Sequence, residues 1–298
     1  MKASSMNVLI AGGTGFIGTY LMKRFESDGH MVSVVSRGTG QVNWQLNSLV
    51  EALKTTDVLI NLAGKNINCR HNNSNKEQIR NSRIDTTRLL GEAIVLSDNK
   101  SLIWFNASAS AIYAPGFGKP NTETKFVLGN SFLSKTVVDW ETEFFACKLK
   151  HVRQVALRTV VVLGAGGGAF VPLKILSKTG LGGNLGSGKQ LFSWIHIEDY
   201  YRAILFLIEN STLKGAVNLS SPGIISQSGF MKLMRKYSGM PLGLPAPAYF
   251  VKIAAAVIGT ESALLLDSVN EFPEVLLSNG FQFLYPDAES AIADLLKK

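Results

Sequence analysis

The chain has 298 residues, of which 46% are hydrophobic and 17% charged, and its 30 Lys and Arg against 22 Asp and Glu give a formal net charge of +8. This content of apolar residues is typical of a globular protein with a buried core and excludes extensive disorder. The basic residues are scattered, which argues against a nucleic-acid or membrane-surface partner and favours phosphate-bearing small molecules. The two cysteines, Cys69 and Cys147, form no CxxC pair, so we expect neither a disulfide framework nor a metal site.

We expect neither a targeting segment nor a membrane span. The first residues lead directly into an apolar strand without the regions of a signal peptide. The longest apolar stretch, 250–258, carries Lys252 and is shorter than the about 20 residues that a bilayer requires, so we interpret it as a buried helix. We therefore expect a cytoplasmic protein.

Apolar runs of strand length alternate with helix-period segments along the first half of the chain. The predicted strands are 8–10, 32–35, 58–62, 102–105 and 155–163, and the predicted helices are 16–28, 76–96 and 132–147. This alternation predicts βαβ units and an α/β fold of the Rossmann type, with a doubly wound parallel sheet covered on both faces.

The second half of the chain has a different residue pattern. Two glycine-rich segments, 166–168 and 180–188, are typical of loops that grip a substrate, and helix and strand patterns return at 197–210 and 217–219. We expect a Rossmann domain at 6–165, completed by 195–220. The segments 166–194 and 221–298 then form a small, mainly helical substrate domain.

Three glycines at a characteristic spacing follow the first predicted strand and begin the first predicted helix. In a dinucleotide-binding loop the first glycine permits the tight turn, the second admits the pyrophosphate and the third lets the helix pack on the sheet. A glycine-rich turn without a ligand is the alternative. The residues that we assign to this loop are Gly12, Thr14, Gly15, Phe16, Ile17 and Gly18.

The residues at the end of the second predicted strand indicate whether the cofactor is NAD(H) or NADP(H). Ser36 and Arg37 stand where an NAD-selective site commonly carries Asp or Glu for the ribose hydroxyls. Arg37 can pair with a 2′-phosphate, although a solvated loop arginine is the alternative. The next strand ends at Leu62, Ala63 and Gly64, small or apolar residues at the same sheet edge. Together these positions predict NADP(H) in preference to NAD(H).

Short motifs spread over nearly the whole chain carry a family resemblance. They are 12–18 (GGTGFIG), 61–64 (NLAG), 79–84 (IRNSRI), 108–111 (SASA), 139–141 (DWE), 158–164, 192–199 (FSWIHIED) and 279–286. The chain resembles the extended short-chain dehydrogenase/reductase superfamily. Within it, the motifs look most like the atypical epimerase-family branch, also described as sugar-nucleotide epimerase or cell-division-inhibitor-like, including its C-terminal domain.

The resemblance implies a Ser or Thr after a central strand and a Tyr-x-x-x-Lys motif on the next helix, with the tyrosine as acid or base. Lys135 matches the lysine, which would bind the nicotinamide ribose and lower the phenol pKa, but Ser131 stands in place of the tyrosine. We predict Ser110 and Lys135 as catalytic residues. Tyr113 is a further candidate that supplies a phenol, or else forms a wall of the pocket.

Five further polar or aromatic residues are candidates for contacts with the substrate. A diphosphate or carboxylate would need a bidentate cation, although surface ion pairing is the alternative for both arginines. The Ser108 hydroxyl can bind a substrate oxygen or cap its own loop. We interpret His196 as a hydrogen-bonding group at a helix start rather than as a base. The five residues are Ser108, Arg83, Arg158, Trp194 and His196.

These features lead to two hypotheses of different classes. The first is an NADP(H)-binding, epimerase-like oxidoreductase acting on a nucleotide-sugar-like or other small carbinol or carbonyl compound. The second is a non-catalytic NADP(H)-binding sensor or regulatory protein, motivated by the missing tyrosine. The expected partner is a small molecule, with no nucleic acid and no membrane, and the superfamily resemblance implies a homodimer.

Overall fold

The computed structural model describes residues 5–38, 40–147, 149, 151–252 and 266–297. Its centre is a parallel sheet of six strands in the spatial order β2-β1-β3-β4-β5-β9. These strands are β1 (Asn7–Ala11), β2 (Met31–Val35), β3 (Val58–Asn61), β4 (Ile103–Ala109), β5 (Arg153–Thr159) and β9 (Gly215–Leu219). The strand order reverses between β1 and β3, where ligands of doubly wound sheets bind.

Helices cover both faces of this sheet because successive side chains of each strand point to opposite sides. One core joins the face with Val8 and Ile10 to α1 (Phe16–Ser27) and α6 (Ile197–Glu209). The other joins the face with Leu9 to three further helices. They are α2 (Leu46–Leu53), α3 (Asn73–Ser97) and α4 (Phe132–Ala146).

A smaller layer follows the last part of the central sheet. A third core lies between α5 (Phe170–Lys178), α7 (Gln227–Ser238) and α9 (Ala288–Leu295). Two small sheets border it, one pairing β6 (Val161–Leu163) with β8 (Trp194–His196) and the other pairing β7 (Leu191–Phe192) with β10 (Ile225–Ser226). The short α8 (Glu274–Ser278) packs against β9, and its Leu276 belongs to the first core.

The predicted α/β, doubly wound Rossmann architecture with a helical C-terminal part is confirmed. The sequence predicts a helix at 250–258, of which residues 253–258 lie outside the described residues. Within the described ranges, no helix combines the length and apolar character needed to cross a bilayer.

Candidate functional site

The glycine loop between β1 and α1 is shaped to receive an anion. Gly12 has φ +78, and a Cβ there would lie 2.8 Å from the main-chain carbon of Leu62. A Cβ on Gly18 would lie 2.6 Å from Gly13 Cα, so its glycine lets α1 pack against the loop. A Cβ on Gly15 would meet only Gly12 O, at 3.5 Å among the described atoms, and the space beyond is open.

The N-terminus of α1 faces this open space. Gly15 is the N-cap and provides no side-chain cap, which leaves the first N–H groups of the helix available to a ligand. The next residue, Phe16, packs under the glycine-rich segment 164–168, since a Cβ on Gly164 would lie 2.7 Å from Phe16 Cζ. Thr14 is exposed at the loop tip. These features fit the pyrophosphate of a dinucleotide.

The end of β2 presents a free cation. Ser36 Oγ accepts hydrogen bonds from the main-chain N–H groups of Gly38 at 3.3 Å and Gly40 at 2.6 Å, which fixes the turn after the strand. The Arg37 side chain is exposed and makes no hydrogen bond or ion pair with any residue that the structure describes. Its guanidinium is therefore open to a phosphate.

A cavity of about 280 Å³ lies beside the glycine loop, at the carboxyl ends of β3, β4 and β5. The structure brings together here several residues that the sequence predicts for the cofactor or the substrate: Ile17, Leu62, Ala63, Gly64, Arg83 and Ser108. Most other lining residues are apolar. The cavity is thus a mainly apolar chamber at the switch point of the sheet, where the reactive end of a dinucleotide is expected.

One face of α4 forms a wall of this cavity. Leu133, Val137 and Trp140 line it, at the spacing that places side chains on one side of a helix. Lys135 lies between these positions and is exposed, while Ser131 is the N-cap of α4 and accepts a hydrogen bond from Ser134 N. The structure therefore does not bring Lys135 to the described cavity wall, and its contact with the ribose stays a prediction.

A buried ion pair lies directly behind the cavity wall. Arg158 donates from Nε and Nη2 to the two carboxylate oxygens of Glu141, at 2.9 and 2.8 Å. Ser108 Oγ donates to the same carboxylate at 2.5 Å. Because both guanidinium donors are engaged with Glu141, this ion pair orients the Ser108 hydroxyl at the cavity and neutralises the carboxylate.

Tyr113 completes this network on the side away from the cavity. Its hydroxyl donates to Asn218 Oδ1 at 2.6 Å and accepts from Arg158 Nη1 at 3.0 Å. Burial raises the pKa of the Tyr113 phenol, so the phenol is neutral at physiological pH. Neither Tyr113 nor Arg158 is among the residues that line the cavity.

Ser110 begins a short 3-10 helix, Ser110–Ile112, at the end of β4. Its neighbours Ala109 and Ala111 line the cavity. The Ser110 hydroxyl is partly exposed and makes no hydrogen bond within the part of the chain that the structure describes. Ser110 itself is not among the residues that line the cavity, and its catalytic role stays a prediction.

Trp194 and His196 lie in the smaller layer and are not brought to the cavity. Trp194 belongs to the third core and donates from Nε1 to Gly223 O at 3.0 Å. His196 is the N-cap of α6, and its Nδ1 accepts from Glu198 N at 3.1 Å. Burial lowers the pKa of His196 to about 4, so its ring is neutral at pH 7. The structure supports the reading of His196 as a structural hydrogen-bonding group.

Two cationic residues line the cavity: Arg83, which the sequence analysis predicts, and Lys65, which it does not. Arg83 donates from Nη1 to the main-chain oxygens of Lys65 at 3.1 Å and Ile79 at 2.8 Å. Burial lowers the pKa of Arg83 to about 10. Lys65 also lines the cavity, and its Nζ donates to the amide oxygens of Asn75 and Gln78. The position of Lys65, directly after the strand-end motif, is the sequence signal that could have found it.

A further hydroxyl pair at the cavity was not predicted. Thr159 at the end of β5 and Tyr200 of α6 both line it, and Thr159 Oγ1 donates to Leu157 O at 3.0 Å. Burial raises the pKa of Tyr200 to about 12. The cavity is thus bordered by neutral hydroxyls on the sheet side and by cations on the α3 side.

Comparison with known proteins gives a consistent result over nearly the whole chain. A model of the NAD dependent epimerase/dehydratase family matches residues 8–220, and a domain of unknown function, DUF1731, matches residues 246–295. The chain is 35% identical over 300 residues to the mouse epimerase family protein SDR39U1, covering 98% of this chain and 100% of the mouse protein.

Solved structures show the same relationship. The crystal structure of human SDR39U1 with NADPH superimposes with a TM-score of 0.89 at 32% identity, over 98% of this chain and 99% of the human one. A nucleoside-diphosphate sugar epimerase from Corynebacterium glutamicum gives a TM-score of 0.79 at 29% identity, over 98% of this chain and 58% of that protein. The resemblance drawn from the motifs is confirmed. The chain belongs to the NAD dependent epimerase/dehydratase family and has the epimerase-family domain followed by the DUF1731 domain.

Proposed function

We propose that the protein is an NADP(H)-dependent oxidoreductase of the epimerase family that acts on a small carbinol or carbonyl compound. The observation that carries the proposal is the apolar cavity, which adjoins an uncapped helix N-terminus and an open glycine loop at the switch point of the sheet. The NADPH bound by human SDR39U1, a relative over the full length of the chain, supports it.

The glycine loop and the β2 edge supply the proposed cofactor contacts. The main chain at Gly12, Gly15 and Ile17 binds the pyrophosphate, and Ala63 lies beside the adjoining ribose. Ala63 N donates to Asn61 Oδ1 at 3.1 Å, and Asn61 donates in turn to Asn106 Oδ1 at 2.7 Å, which holds this segment in place. The free Arg37 guanidinium binds the 2′-phosphate and favours NADP(H) over NAD(H).

When bound, the nicotinamide supplies or accepts a hydride. Ser110 donates a hydrogen bond to the substrate oxygen, and Ser108, whose hydroxyl proton is donated to Glu141, offers its oxygen as an acceptor. Lys135, on the exposed side of α4, is the proposed ribose contact. The Tyr113 hydroxyl accepts from Arg158 behind the wall and has no direct contact with the cavity. Arg158 and Glu141 act behind the wall and keep Ser108 in position.

The substrate domain that we propose consists of 166–194 and 221–298, facing the sheet edge. A nucleotide-linked sugar is one candidate substrate class, supported by the description of the Corynebacterium relative. Other small carbinols and carbonyl compounds fit the same cavity.

A screen of carbonyl compounds for oxidation of NADPH tests this function. The panel contains nucleotide-linked keto sugars, simple ketones and aldehydes, and oxo acids, and the absorbance of NADPH is followed. We expect turnover with at least one class and its loss in Ser110→Ala, with unchanged affinity for NADPH. If NADPH binds but its absorbance does not change with any compound of the panel, a catalytic role is contradicted.

One observation favours the second candidate, a non-catalytic NADP(H)-binding protein. The positions of α4 that face the cavity at i and i+4 are Leu133 and Val137, so this face presents neither a phenol nor an ammonium. In that case cofactor binding would order a surface for a protein partner. Pull-down experiments with and without NADPH test it, and a partner set that is unaffected by NADPH contradicts it.

A further inference from the structure

Arg83 reaches the cavity with one edge of its guanidinium free. Nη1 is anchored by the main-chain oxygens of Lys65 and Ile79, and the ring of Trp140 lies 5.2 Å from Cζ. Nε and Nη2 have no hydrogen-bond partner among the residues that the structure describes. These two atoms form the planar edge that binds a carboxylate through two parallel hydrogen bonds.

Gly64 keeps room for this arrangement. A Cβ at that position would lie 3.2 Å from Arg83 Cζ and 3.4 Å from Nη1. A side chain would therefore press on the guanidinium, which would have to shift by a few tenths of an ångström. The glycine at the end of the strand motif thus serves the arginine as well as the cofactor.

Lys65 also lines the cavity and places a second positive charge beside Arg83, next to Asn75 and Gln78. Its Nζ donates to Asn75 Oδ1 at 2.8 Å and to Gln78 Oε1 at 2.7 Å, both of which are neutral amide oxygens. An ammonium has three donors, so one remains for a ligand. The two amides hold the ammonium in place without neutralising it.

The cavity therefore has an unbalanced positive charge. Lys65 and Arg83 are the lining residues with a formal charge at pH 7, and no Asp or Glu is among the described lining residues. Glu141, behind the wall, is already paired with Arg158. A partly desolvated guanidinium without a counter-ion is costly, and a bound anion would relieve that cost.

The size of the cavity narrows the choice of anion. Its volume of about 280 Å³ is at the low end of the roughly 300–1,000 Å³ of small-molecule sites, and the reactive end of the cofactor must enter it too. The pyrophosphate of the cofactor has its own site at the N-terminus of α1. We propose that Arg83 and Lys65 bind a carboxylate of the substrate, so that the protein acts on a compact oxo or hydroxy acid. This subsite presupposes the proposed oxidoreductase function and specifies its substrate class.

Calorimetric titration of the protein saturated with NADP⁺ tests the subsite, because the oxidised cofactor cannot reduce an oxo acid. The probes are pyruvate, 2-oxobutyrate and 2-oxoglutarate, each compared with its methyl ester, which has the same carbonyl but no carboxylate charge. We expect at least one acid to bind and its ester to bind about tenfold more weakly or worse.

The variants separate charge, geometry and folding. Arg83→Gln should weaken binding of the acid by about 10- to 100-fold, the range for losing hydrogen bonds to a charged group. Arg83→Lys keeps the charge without the two-donor edge, so its affinity for the acid should lie between those of the wild type and Arg83→Gln. Lys65→Gln keeps the main-chain oxygen that anchors Arg83 and should weaken binding of the acid by about three- to tenfold. Lys54→Gln removes an exposed lysine that pairs with Glu51 in α2 and serves as the matched control without effect.

Several results would overturn the subsite. Equal binding of acid and ester, or binding of NADP⁺ without binding of any acid, removes it. If Arg83→Gln and Lys65→Gln weaken the binding of NADP⁺ as much as that of the acid, the two cations bind the cofactor and not the substrate. Reduction of neutral carbonyls but not of acids would leave the oxidoreductase function standing without this subsite, whereas a wild-type protein that fails to bind NADP⁺ loses both.

Discussion

Glu271 is the buried carboxylate with the least compensation in the described structure. Its side chain is 0% exposed, and both of its oxygens are without a hydrogen-bond partner among the described residues. Burial raises the pKa of Glu271 well above its ordinary value, and the nearby Glu123 raises it further while Arg158 lowers it. The carboxyl is therefore held in a site that disfavours its ionised form.

The replacement Glu271→Gln removes this ionisation and keeps the shape of the side chain. A carboxyl with a raised folded-state pKa contributes stability that is complete below its unfolded pKa of about 4.3 and is lost as the pH rises toward the folded value. Each unit of elevation costs about 1.4 kcal/mol once the pH is above both values. We therefore expect the advantage of Glu271→Gln over the wild type to grow as the pH rises from 5 to 8.

Urea unfolding followed by circular dichroism at several pH values between 5 and 8 measures this advantage. Glu274→Gln is the matched control on the neighbouring helix, because hydrogen bonds from Thr122 and Thr124 lower the pKa of Glu274. Its contribution has the opposite sign: it is present above the unfolded pKa and lost as the pH falls through the folded one. A free-energy difference for Glu271→Gln that does not change with pH refutes the reasoning.

Three further substitutions test separate parts of the account. Gly18→Ala should destabilise the fold by about 1–3 kcal/mol in thermal unfolding, because its Cβ would meet Gly13 Cα at 2.6 Å; an unchanged Tm would show that α1 can shift at no cost. Glu141→Gln should cost about 3–5 kcal/mol in urea unfolding by leaving buried Arg158 without its counter-ion, and a loss below 1 kcal/mol contradicts the role of this ion pair. Arg37→Gln should weaken NADPH about tenfold and leave NADH unchanged in fluorescence titrations, whereas equal effects on both cofactors contradict a 2′-phosphate contact.

The central sheet and the glycine loop could be predicted because their signals are local. Apolar runs such as 8–10 and 32–35 are short and bounded, and the glycine spacing fixes the turn that follows β1. The helix α2 was not predicted, because its eight residues lie in a stretch between two stronger strand patterns. The sequence analysis predicts a substrate loop at 166–168, and the structure adds that Gly167 and Gly168 make room for Phe16.

The cavity was harder to predict because it depends on which face of a helix meets it. Spacing to a family motif selects Lys135, but the apolar repeat of Leu133, Val137 and Trp140 decides the orientation of α4. That repeat was present in the sequence and could have been used. Arg83 was predicted and Lys65 directly follows the strand-end motif, but their proximity joins a strand end to a helix turn through long-range packing, which no local pattern shows.

Trp194 and His196 show a different limit of prediction. Both belong to a motif beside a glycine-rich segment, and the sequence does not tell whether such residues face a ligand or a neighbouring helix. His196 approaches Asp294 of α9, with 3.5 Å between Nε2 and Oδ2, so its environment is set by a segment nearly a hundred residues away. Tertiary packing of this kind has no local signature.

The central claim, that the glycine loop binds NADP(H), is tested most directly by titrating NADPH into the wild type and Gly15→Val. Gly15 has φ −77 and ψ 171, which any residue adopts, and the Cβ of a new side chain would enter the open space in front of α1 without meeting the described protein atoms closely. We expect NADPH to bind the wild type with micromolar affinity or better and Gly15→Val to keep its Tm but lose at least about 100-fold in affinity. Equal affinity of the two proteins for NADPH, or no binding to the wild type, would contradict the account.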